Sequence, residues 1–366
     1  MRKILVHTRK QLSTCTVLIG AAAGEAAALA AKLGASRAAV VCSKNTAAIA
    51  QRVATAAGEA GLEPCLLEIP DGEENKSLAT LELLLQKMRE EKLDRDAAVI
   101  AVGGGVVGDV AGFAASVYMR GISLFHVPTT LVAMADSSVG GKTGVNLGEK
   151  NMVGAFHQPK AVVVDFSTLK TLPQEEVRQG LAEILKTACI RSPGLFKFLE
   201  ENAEKALALD ETVLARLVGE SVEIKADIVG GDEREDRSFE GTENSRMLLN
   251  FGHSLGHGLE KASGYTLRHG DAVSAGIVGE CRISQQMGLL EERESGRIKT
   301  LLQKLGLPTG AAGVSLEKAV AALQSDKKNK SGKLVMVLLH AIGRPEVVDG
   351  VQLELARLAL AELVAK

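Results

Sequence analysis

Up to Leu172 the chain alternates two hydrophobic patterns. Short apolar, β-rich runs stand at Thr16–Ile19, Ala38–Cys42, Leu66–Ile69, Ala97–Val102, Ser123–Val127 and Ala161–Asp165. Between them lie alanine- and leucine-rich segments with helical spacing, among them Gly24–Leu33, Thr46–Ala57 and Ser77–Glu91. Runs that are apolar throughout predict strands buried on both faces, and their alternation with helices predicts a parallel sheet covered on both sides. The opening residues predict at most a short hairpin. Leu172-Pro173 breaks the alternation. From Gln174 onward the spacing is helical, at Glu175–Cys189, Gly194–Glu201, Glu211–Ile228, Met247–Ala262, Ala272–Met287 and Glu291–Leu305. Leu334–Leu339 reads as a late strand or hairpin, and Val351–Val364 as a closing helix. A chain of 366 residues suits two domains. The pattern predicts an α/β domain with a mostly parallel sheet over 1–172 and a mainly α-helical domain over 173–366.

Charge changes this picture by exclusion. Lys and Arg number 43 against 45 Asp and Glu, which argues against a nucleic-acid footprint or a polybasic membrane surface. There is no Trp and only two Tyr, so the core is aliphatic and base-stacking platforms are not expected. Five scattered cysteines without a C-x-x-C pair read as reduced, mostly buried thiols of a cytoplasmic protein. The apolar run at the N-terminus is too short for a signal peptide, and no run reaches the roughly 20 residues of a membrane span. Gly230–Ser245 is the clearest polar linker and reads as a solvated loop.

Candidate chemistry concentrates in Arg246-Met-Leu-Leu-Asn250-Phe-Gly-His253-Ser-Leu-Gly-His257-Gly-Leu-Glu260, followed by Arg268-His269-Gly270-Asp271. His253 and His257 are four apart, one helical turn on one face, and such a pair presents two imidazoles to one borderline cation such as zinc. Gly252, Gly256 and Gly258 each cost a helix roughly 0.8–1 kcal/mol against Ala, which implies that something large approaches the backbone. A small-residue packing face with ordinary histidines is the competing explanation. Upstream, the strand at Ala97–Val102 runs into Gly103-Gly104-Gly105-Val106-Val107-Gly108-Asp109, a G-x-G-x-x-G between strand and helix that suits a dinucleotide pyrophosphate. It does not lie on the first strand, and no acidic residue ends the next strand, so a close-packed turn competes. Asp71-Gly-Glu73-Glu-Asn-Lys76-Ser77 offers groups for ribose and phosphate, or simply a helix start capped by Asn75 or Ser77. Gly140-Gly-Lys142-Thr resembles the end of a phosphate-binding loop, but the upstream glycine and strand of an ATPase motif are missing. Glu183 and Lys186 share a helix face, as an ordinary surface ion pair or as part of a Glu–His–His metal set with an open position.

Taken in order, these motifs resemble the 3-dehydroquinate synthase family of sugar-phosphate cyclases. The resemblance covers about residues 64–345 and rests on Pro70-Asp-Gly-Glu, Gly-Gly-Gly-Val-Val-Gly-Asp109, Tyr118-Met-Arg120-Gly, Pro128-Thr-Thr-Leu and Asp136-Ser-Ser-Val-Gly-Gly-Lys142-Thr. It continues through Lys150-Asn-Met-Val-Gly-Ala-Phe-His157, Gly-Leu-Ala-Glu183, Leu-Asn250-Phe-Gly-His253, Gly-His257, His269-Gly and Asp326-Lys-Lys. It implies a dehydroquinate synthase-like fold, an NAD-binding α/β domain followed by a helical metal- and substrate-binding domain, with the site between them. By position it implies zinc, with cobalt as a substitute, on Glu183, His253 and His269. His257 becomes a substrate and proton-relay residue. Asp136, Lys142, Asn151, Lys186, Lys225, Arg246, Asn250 and one of Lys327 or Lys328 surround the substrate, with Lys328 preferred. Arg120 reaches the phosphate across a homodimer interface. NAD lies on Glu73, Lys76, Gly104, Gly105, Val106, Val107, Gly108, Asp109, Thr129, Thr130, Lys142 and Lys150.

The activity so implied converts 3-deoxy-D-arabino-heptulosonate 7-phosphate to 3-dehydroquinate and phosphate, a step of the shikimate pathway to aromatic amino acids. Its stages are transient oxidation by NAD, phosphate β-elimination, re-reduction, ring opening and aldol closure, so the net class is a phosphate-eliminating lyase. The chain departs from the family in several places. The interval from Lys142 to Lys150 is shorter than usual, and Glu149 stands where glycine is common. Gly230–Ser245 is longer than typical, so the acidic residue before Arg246 is Glu240 or Glu243. Asp271 replaces a glutamate, and Ser43 stands where many relatives place an acidic or amide group. The rival readings are a sister cyclase of the inosose or valiolone type, a metal-dependent polyol dehydrogenase, and a structural zinc protein. Lys225, Arg246 and Asn250 fit a carboxylated substrate, and no closed four-ligand cysteine site is visible.

Overall fold

The computed structural model describes residues 14–232, 245–324 and 333–365. The opening residues, Glu240, Glu243, Lys327 and Lys328 therefore lie outside the described residues.

Six strands form one parallel sheet: β1 (Thr16–Ile19), β2 (Arg37–Ser43), β3 (Glu63–Ile69), β4 (Ala98–Gly103), β5 (Ser123–Pro128) and β8 (Ala161–Val164), in the spatial order β1-β8-β5-β4-β2-β3. Every residue of β4 and β8 is buried, as continuous apolar runs require. Alternate residues serve opposite faces. Ala98, Ile100 and Val102 join Ala26, Ala30, Ala50 and Val53 of α1 (Glu25–Lys32) and α2 (Ala47–Glu59). Val99 and Ala101 join Leu81, Leu84, Val110 and Ala114 of α3 (Leu78–Glu90) and α4 (Gly105–Val117). Ser77 caps α3 by accepting the Thr80 N–H at 3.2 Å. The chain moves outward from β2 to β3, then returns to lay β4 on the other side of β2. The carboxyl ends of β2 and β4 thus flank a topological switch point, where open α/β sheets leave a crevice for ligands.

One substructure departs from the sequence pattern. Residues 142–156 form an antiparallel hairpin, β6 (Lys142–Leu147) and β7 (Glu149–Phe156), turning at Gly148 and lying against α4.

Beneath α4, His126 of β5 is buried, with its Cε1 3.4 Å from where a side chain on Gly108 would begin. Burial, helped by His157, pulls its pKa from 6.5 down to about 4. Between those values the unfolded chain binds the proton and the folded chain does not, so stability falls as pH drops from 6.5 towards 4. The full loss is about 3 kcal/mol. Urea unfolding at neutral and mildly acid pH will show wild type losing more stability than His126→Gln; parallel losses would place the acid sensitivity elsewhere.

The second half is helical and centres on α5 (Gln174–Arg191). All its residues from Gln179 to Ile190 are buried, the mark of a helix surrounded by others. Around it stand α6 (Pro193–Leu207), α7 (Glu211–Gly231), α9 (His269–Gln286) and α10 (Glu292–Lys304), whose core residues form one cluster that also takes in Val162 and Val164 of the sheet. α11 (Leu316–Gln324), the hairpin β9 (Lys333–Ala341) and β10 (Arg344–Gln352), and α12 (Leu353–Val364) complete the chain. The apolar run at Leu334–Leu339 is thus one arm of a hairpin, and the closing helix starts two residues after Val351. The helix expected over Met247–Ala262 is broken. A 3-10 turn covers Arg246–Asn250, Gly252 adopts φ +78°, and α8 runs from His253 to Ala262. The break is held from a distance: buried Glu280 on α9 accepts the Gly252 N–H at 2.6 Å and the Leu255 N–H at 3.3 Å. All five cysteines are free, and four are buried. Among the described residues no helix is long and apolar enough to cross a membrane.

Candidate active site

Three elements bring Glu183, His253 and His269 together. Glu183 lies in the buried run of α5, His253 opens α8 and His269 opens α9. Nε2 of His269 is 3.2 Å, and Nε2 of His253 3.6 Å, from Oε1 of Glu183. A tetrahedral ion with bonds of about 2.0–2.1 Å holds its ligand atoms roughly 3.4 Å apart, so this spacing suits zinc. The second oxygen of Glu183 is buried and makes no hydrogen bond. Lys186 Nζ stands 2.6 Å from it, at ion-pair distance. Nδ1 of His253 donates to the Phe251 carbonyl at 3.1 Å, which frees Nε2 to face Glu183. Burial opposes ionisation of Glu183, but Lys186 and the two imidazoles hold its pKa well below the carboxylate range. Burial likewise opposes protonation of His269, and is outweighed by Glu183 and Glu260, which raise it to about 9.

His257 is exposed and belongs to a second possible metal group, His257, Glu260 and His269, which shares His269 with the first. The i, i+4 pair therefore does not form one site with both imidazoles on a single ion. Of the two groups, the first has the deeper burial. Gln179 fixes α9 against α5 by accepting the Gly270 N–H at 2.5 Å and donating to Asp271 at 3.0 Å. A side chain on Gly270 would approach Gln179 Cα to 2.7 Å.

A run of buried charge leads away from Glu183. Lys186 pairs with it at only 2 % side-chain exposure, so the surface ion-pair reading fails. Burial opposes the charge on Lys186, but Glu183 and Asp136 raise its pKa. Lys225 donates to the Asp136 carboxylate and carbonyl, each at 2.7 Å. Burial, with Lys186 and Arg246 adding repulsion, pulls the Lys225 pKa down against Asp136. Arg246 is buried, donates to the Gly140 carbonyl at 3.1 Å and lies over Phe156. Gly140 adopts φ +101°, and a side chain there would come within 2.8 Å of the Arg246 guanidinium. Lys186, Lys225 and Arg246 are thus three buried cations set among the carboxylates of Glu183, Asp136 and Asp232, the last accepting the Arg246 backbone N–H at 3.0 Å. Cationic donors grouped in this way suit an anionic ligand. Asn250 closes the 3-10 turn beside them, and Lys142 is exposed at the start of β6.

The glycine loop adjoins this run. Gly104 begins α4 without a side-chain cap, so first-turn N–H groups of Gly105, Val106 and Val107 are open to an anion. A Cβ on Gly104 would meet the Thr130 methyl at 2.9 Å, and one on Gly105 would lie 3.5 Å from Ser137 Oγ, next to Asp136. The Thr129 N–H donates to the Gly103 carbonyl at 3.0 Å. Lys76 bonds to Asp109 and, at 2.5 Å, to Asn151 Oδ1. Burial pushes Asp109 up in spite of Lys76. Asn146 donates to Glu73 Oε1 at 2.9 Å, accepts the Asn151 N–H at 2.9 Å and gives its own N–H to the Lys76 carbonyl at 2.8 Å. Asn151 therefore sits with the loop residues instead of the cation cluster, and Lys150 turns to Glu260 at 2.6 Å. Arg120 is exposed past the C-terminal end of α4, about 20 Å along that helix from the glycine loop. This chain does not bring it to the cluster.

A family model for the 3-dehydroquinate synthase N-terminal region matches residues 66–179, and one for the C-terminal region matches residues 180–329. The 3-dehydroquinate synthase of Ruminiclostridium cellulolyticum is 46% identical over 284 residues, 77% of each chain. That of Rhodococcus opacus is 40% identical over 302 residues, 82% of this chain and 80% of the relative. The chain belongs to the 3-dehydroquinate synthase family. Among solved structures, 2-epi-5-epi-valiolone synthase from Streptomyces hygroscopicus with NAD+ and Zn2+ bound superposes with a TM-score of 0.87 at 28% identity, covering 99% of both chains. A 2-deoxy-scyllo-inosose synthase complexed with carbaglucose-6-phosphate, NAD+ and Co2+ gives 0.83 at 26% identity, covering 95% of this chain and 96% of that one.

Within this family frame, sequence reasoning assigned no role to Asn146, Glu260 or Glu280. Glu260 carried a signal, since it lies seven residues after His253 and so on the same helix face. Asn146 and Glu280 act through contacts that no local spacing reveals.

Proposed function

We propose that this chain is a 3-dehydroquinate synthase, converting 3-deoxy-D-arabino-heptulosonate 7-phosphate to 3-dehydroquinate with release of phosphate, and using NAD and zinc. The observation that carries the reading is the continuous run from the uncapped glycine loop, through Asp136, Lys225 and Lys186, to the Glu183–His253–His269 group. When bound there, a divalent ion would supply Lewis acidity to a substrate hydroxyl, and NAD a reversible hydride acceptor. Glu183, His253 and His269 hold the ion. Lys186, Lys225, Arg246 and Asn250 bind and orient the carboxylated substrate, with Asp136 fixing Lys225. His257, exposed on the cleft side of α8, moves a proton. Lys142, and Arg120 from a second copy of the chain, balance the phosphate charge, which makes the working form a homodimer. Asn151 orients the phosphate through its link to Lys76. Glu73, Lys76, the Gly104–Asp109 backbone, Thr129, Thr130 and Lys150 serve the dinucleotide. Substrate and products stand at the same oxidation level, so NAD would be needed only transiently and the enzyme is a carbon–oxygen lyase. We assign the two domains to 1–172 and 173–366 and the protein to the cytoplasm.

The high similarity to the valiolone and inosose synthases supports a second reading, a sister cyclase acting on a sugar phosphate without a carboxylate. Incubating the protein with NAD+, Zn2+ and the heptulosonate phosphate separates them. Phosphate and 3-dehydroquinate will appear without NADH accumulating. Turnover of carboxylate-free sugar phosphates alone would favour the sister reading, and accumulating NADH a dehydrogenase. Arg246→Ala will weaken substrate binding about 10–100-fold, the worth of a charged hydrogen-bonding partner, and leave NAD affinity unchanged. Titrations showing equal losses for both ligands would move Arg246 out of the substrate site.

A further inference from the structure

The role of Glu260 is not explained by the assignments above. It is 4 % exposed and lies on the face of α8 that carries His253 and His257. Its Oε2 stands 3.7 Å from Nδ1 of His269, while Nε2 of the same ring meets Glu183 Oε1 at 3.2 Å. The imidazole is therefore held between two carboxylates, one at each nitrogen. The other oxygen of Glu260 accepts Lys150 Nζ at 2.6 Å. Lys150 belongs to β7 and also lies 4.9 Å over the ring of Tyr265, just beyond α8. One residue along, the polarity reverses, with Lys261 Nζ 3.1 Å from Glu149. Glu149-Lys150 thus meets Glu260-Lys261 with crossed charges, which opposes a one-residue slip of the hairpin along the helix.

We propose that Glu260 is a positioning residue: it holds the His269 ring from behind, with Nε2 turned towards Glu183, and through Lys150 ties that ring to the β6–β7 hairpin. At 3.7 Å the carboxylate attracts Nδ1–H without a direct hydrogen bond. Carboxylates placed behind a ligating imidazole fix its tautomer and orientation, and losing one typically costs 10–100-fold in metal affinity. The hairpin carries Asn146 and Asn151, which hold Lys76 beside the glycine loop, so the same link joins the dinucleotide side of the cleft to the metal side. The proposal rests on the reading of Glu183, His253 and His269 as the metal's ligands.

The test is zinc titration of the metal-free full-length protein against a competing chelator. Glu260→Gln, which keeps the shape and removes the charge, will weaken zinc about 10–100-fold at unchanged stoichiometry. Lys150→Met will weaken it less, and the double variant will be no worse than Glu260→Gln. Unchanged zinc affinity in Glu260→Gln overturns the proposal, and additive losses overturn the Lys150 link. A lowered stoichiometry would make Glu260 a direct ligand of a second ion and also overturns it. Should Glu260→Gln fail to fold, the half-buried Lys150→Met decides alone: unchanged affinity there counts against the proposal, and a loss supports it. Glu183→Ala is the independent control. If it binds zinc as wild type does, the metal-site reading itself falls, whatever Glu260 does.

Discussion

His253→Ala will lose its zinc and its turnover together. On the proposed assignment this variant removes one of three protein donors, so the loss of affinity will exceed the roughly 10–100-fold expected for an outer partner. The fold should survive, because the start of α8 is held by Glu280 through the Gly252 and Leu255 amides and not by the imidazole. Metal content after gel filtration, measured beside phosphate release, reads both effects. His257→Ala supplies the contrast: it will keep the metal and lose turnover, since its ring stands on the exposed side of the cluster. Full activity in metal-stripped His253→Ala would refute the ligand assignment. Equal zinc loss in both variants would shift the ion to the His257–Glu260–His269 group.

How much of this site could be read from the chain depends on what each segment buries. Inner strands such as β4 and β8 were legible because strands covered on both faces are apolar at every position. Edge strand β3 alternates exposed and buried residues and was legible only from Leu66; the observed bounds lie within a few residues of the runs. The β6–β7 hairpin was not. β7 is half exposed, and the hairpin carries Lys142, Asn146, Lys150 and Asn151, so polar groups facing the cleft replace the hydrophobic alternation that marks a hairpin. The break before α8 was hidden for another reason. Glu280 is 28 residues from Gly252, and a cap supplied from another helix leaves no local signature. Glu183 and Lys186, three apart, read equally well as a surface pair, and only the surrounding helices show that both are buried. Motif order carried the family assignment, but it could not place Asn151 with Lys76 or Lys150 with Glu260, because those contacts depend on how the hairpin lies over its neighbours.

Gly276→Ala will be among the most damaging single-methyl changes in the protein, and its surroundings explain Gly252 and Gly256 at the start of α8. A Cβ at Gly276 would overlap the Gly252 carbonyl oxygen and lie 2.8 Å from the Gly256 amide nitrogen. In return, a Cβ at Gly256 would meet the Ala272 carbonyl at 2.9 Å, and one at Gly252 the Val273 carbonyl at 3.0 Å. What approaches Gly252 and Gly256 is therefore the backbone of α9, while Gly258 faces Ala319 and Leu323 of α11. The close α8–α9 crossing is what brings His253 and His269 to one carboxylate. The clash involves backbone on both sides, so it cannot be relieved by turning a side chain. The helices must part, at a cost of about 3 kcal/mol or more. Denaturant unfolding will show that loss, and the variant that remains folded will bind zinc more weakly, because parting the helices separates the two imidazoles. Gly296→Ala on α10 is the matched control: nothing lies within 4 Å of its new methyl, so it should gain roughly 0.5–1 kcal/mol from helix propensity and leave zinc binding unchanged. Wild-type stability and zinc affinity in Gly276→Ala would mean that α8 and α9 do not cross as closely as described, and that the spacing of the two histidines has another cause.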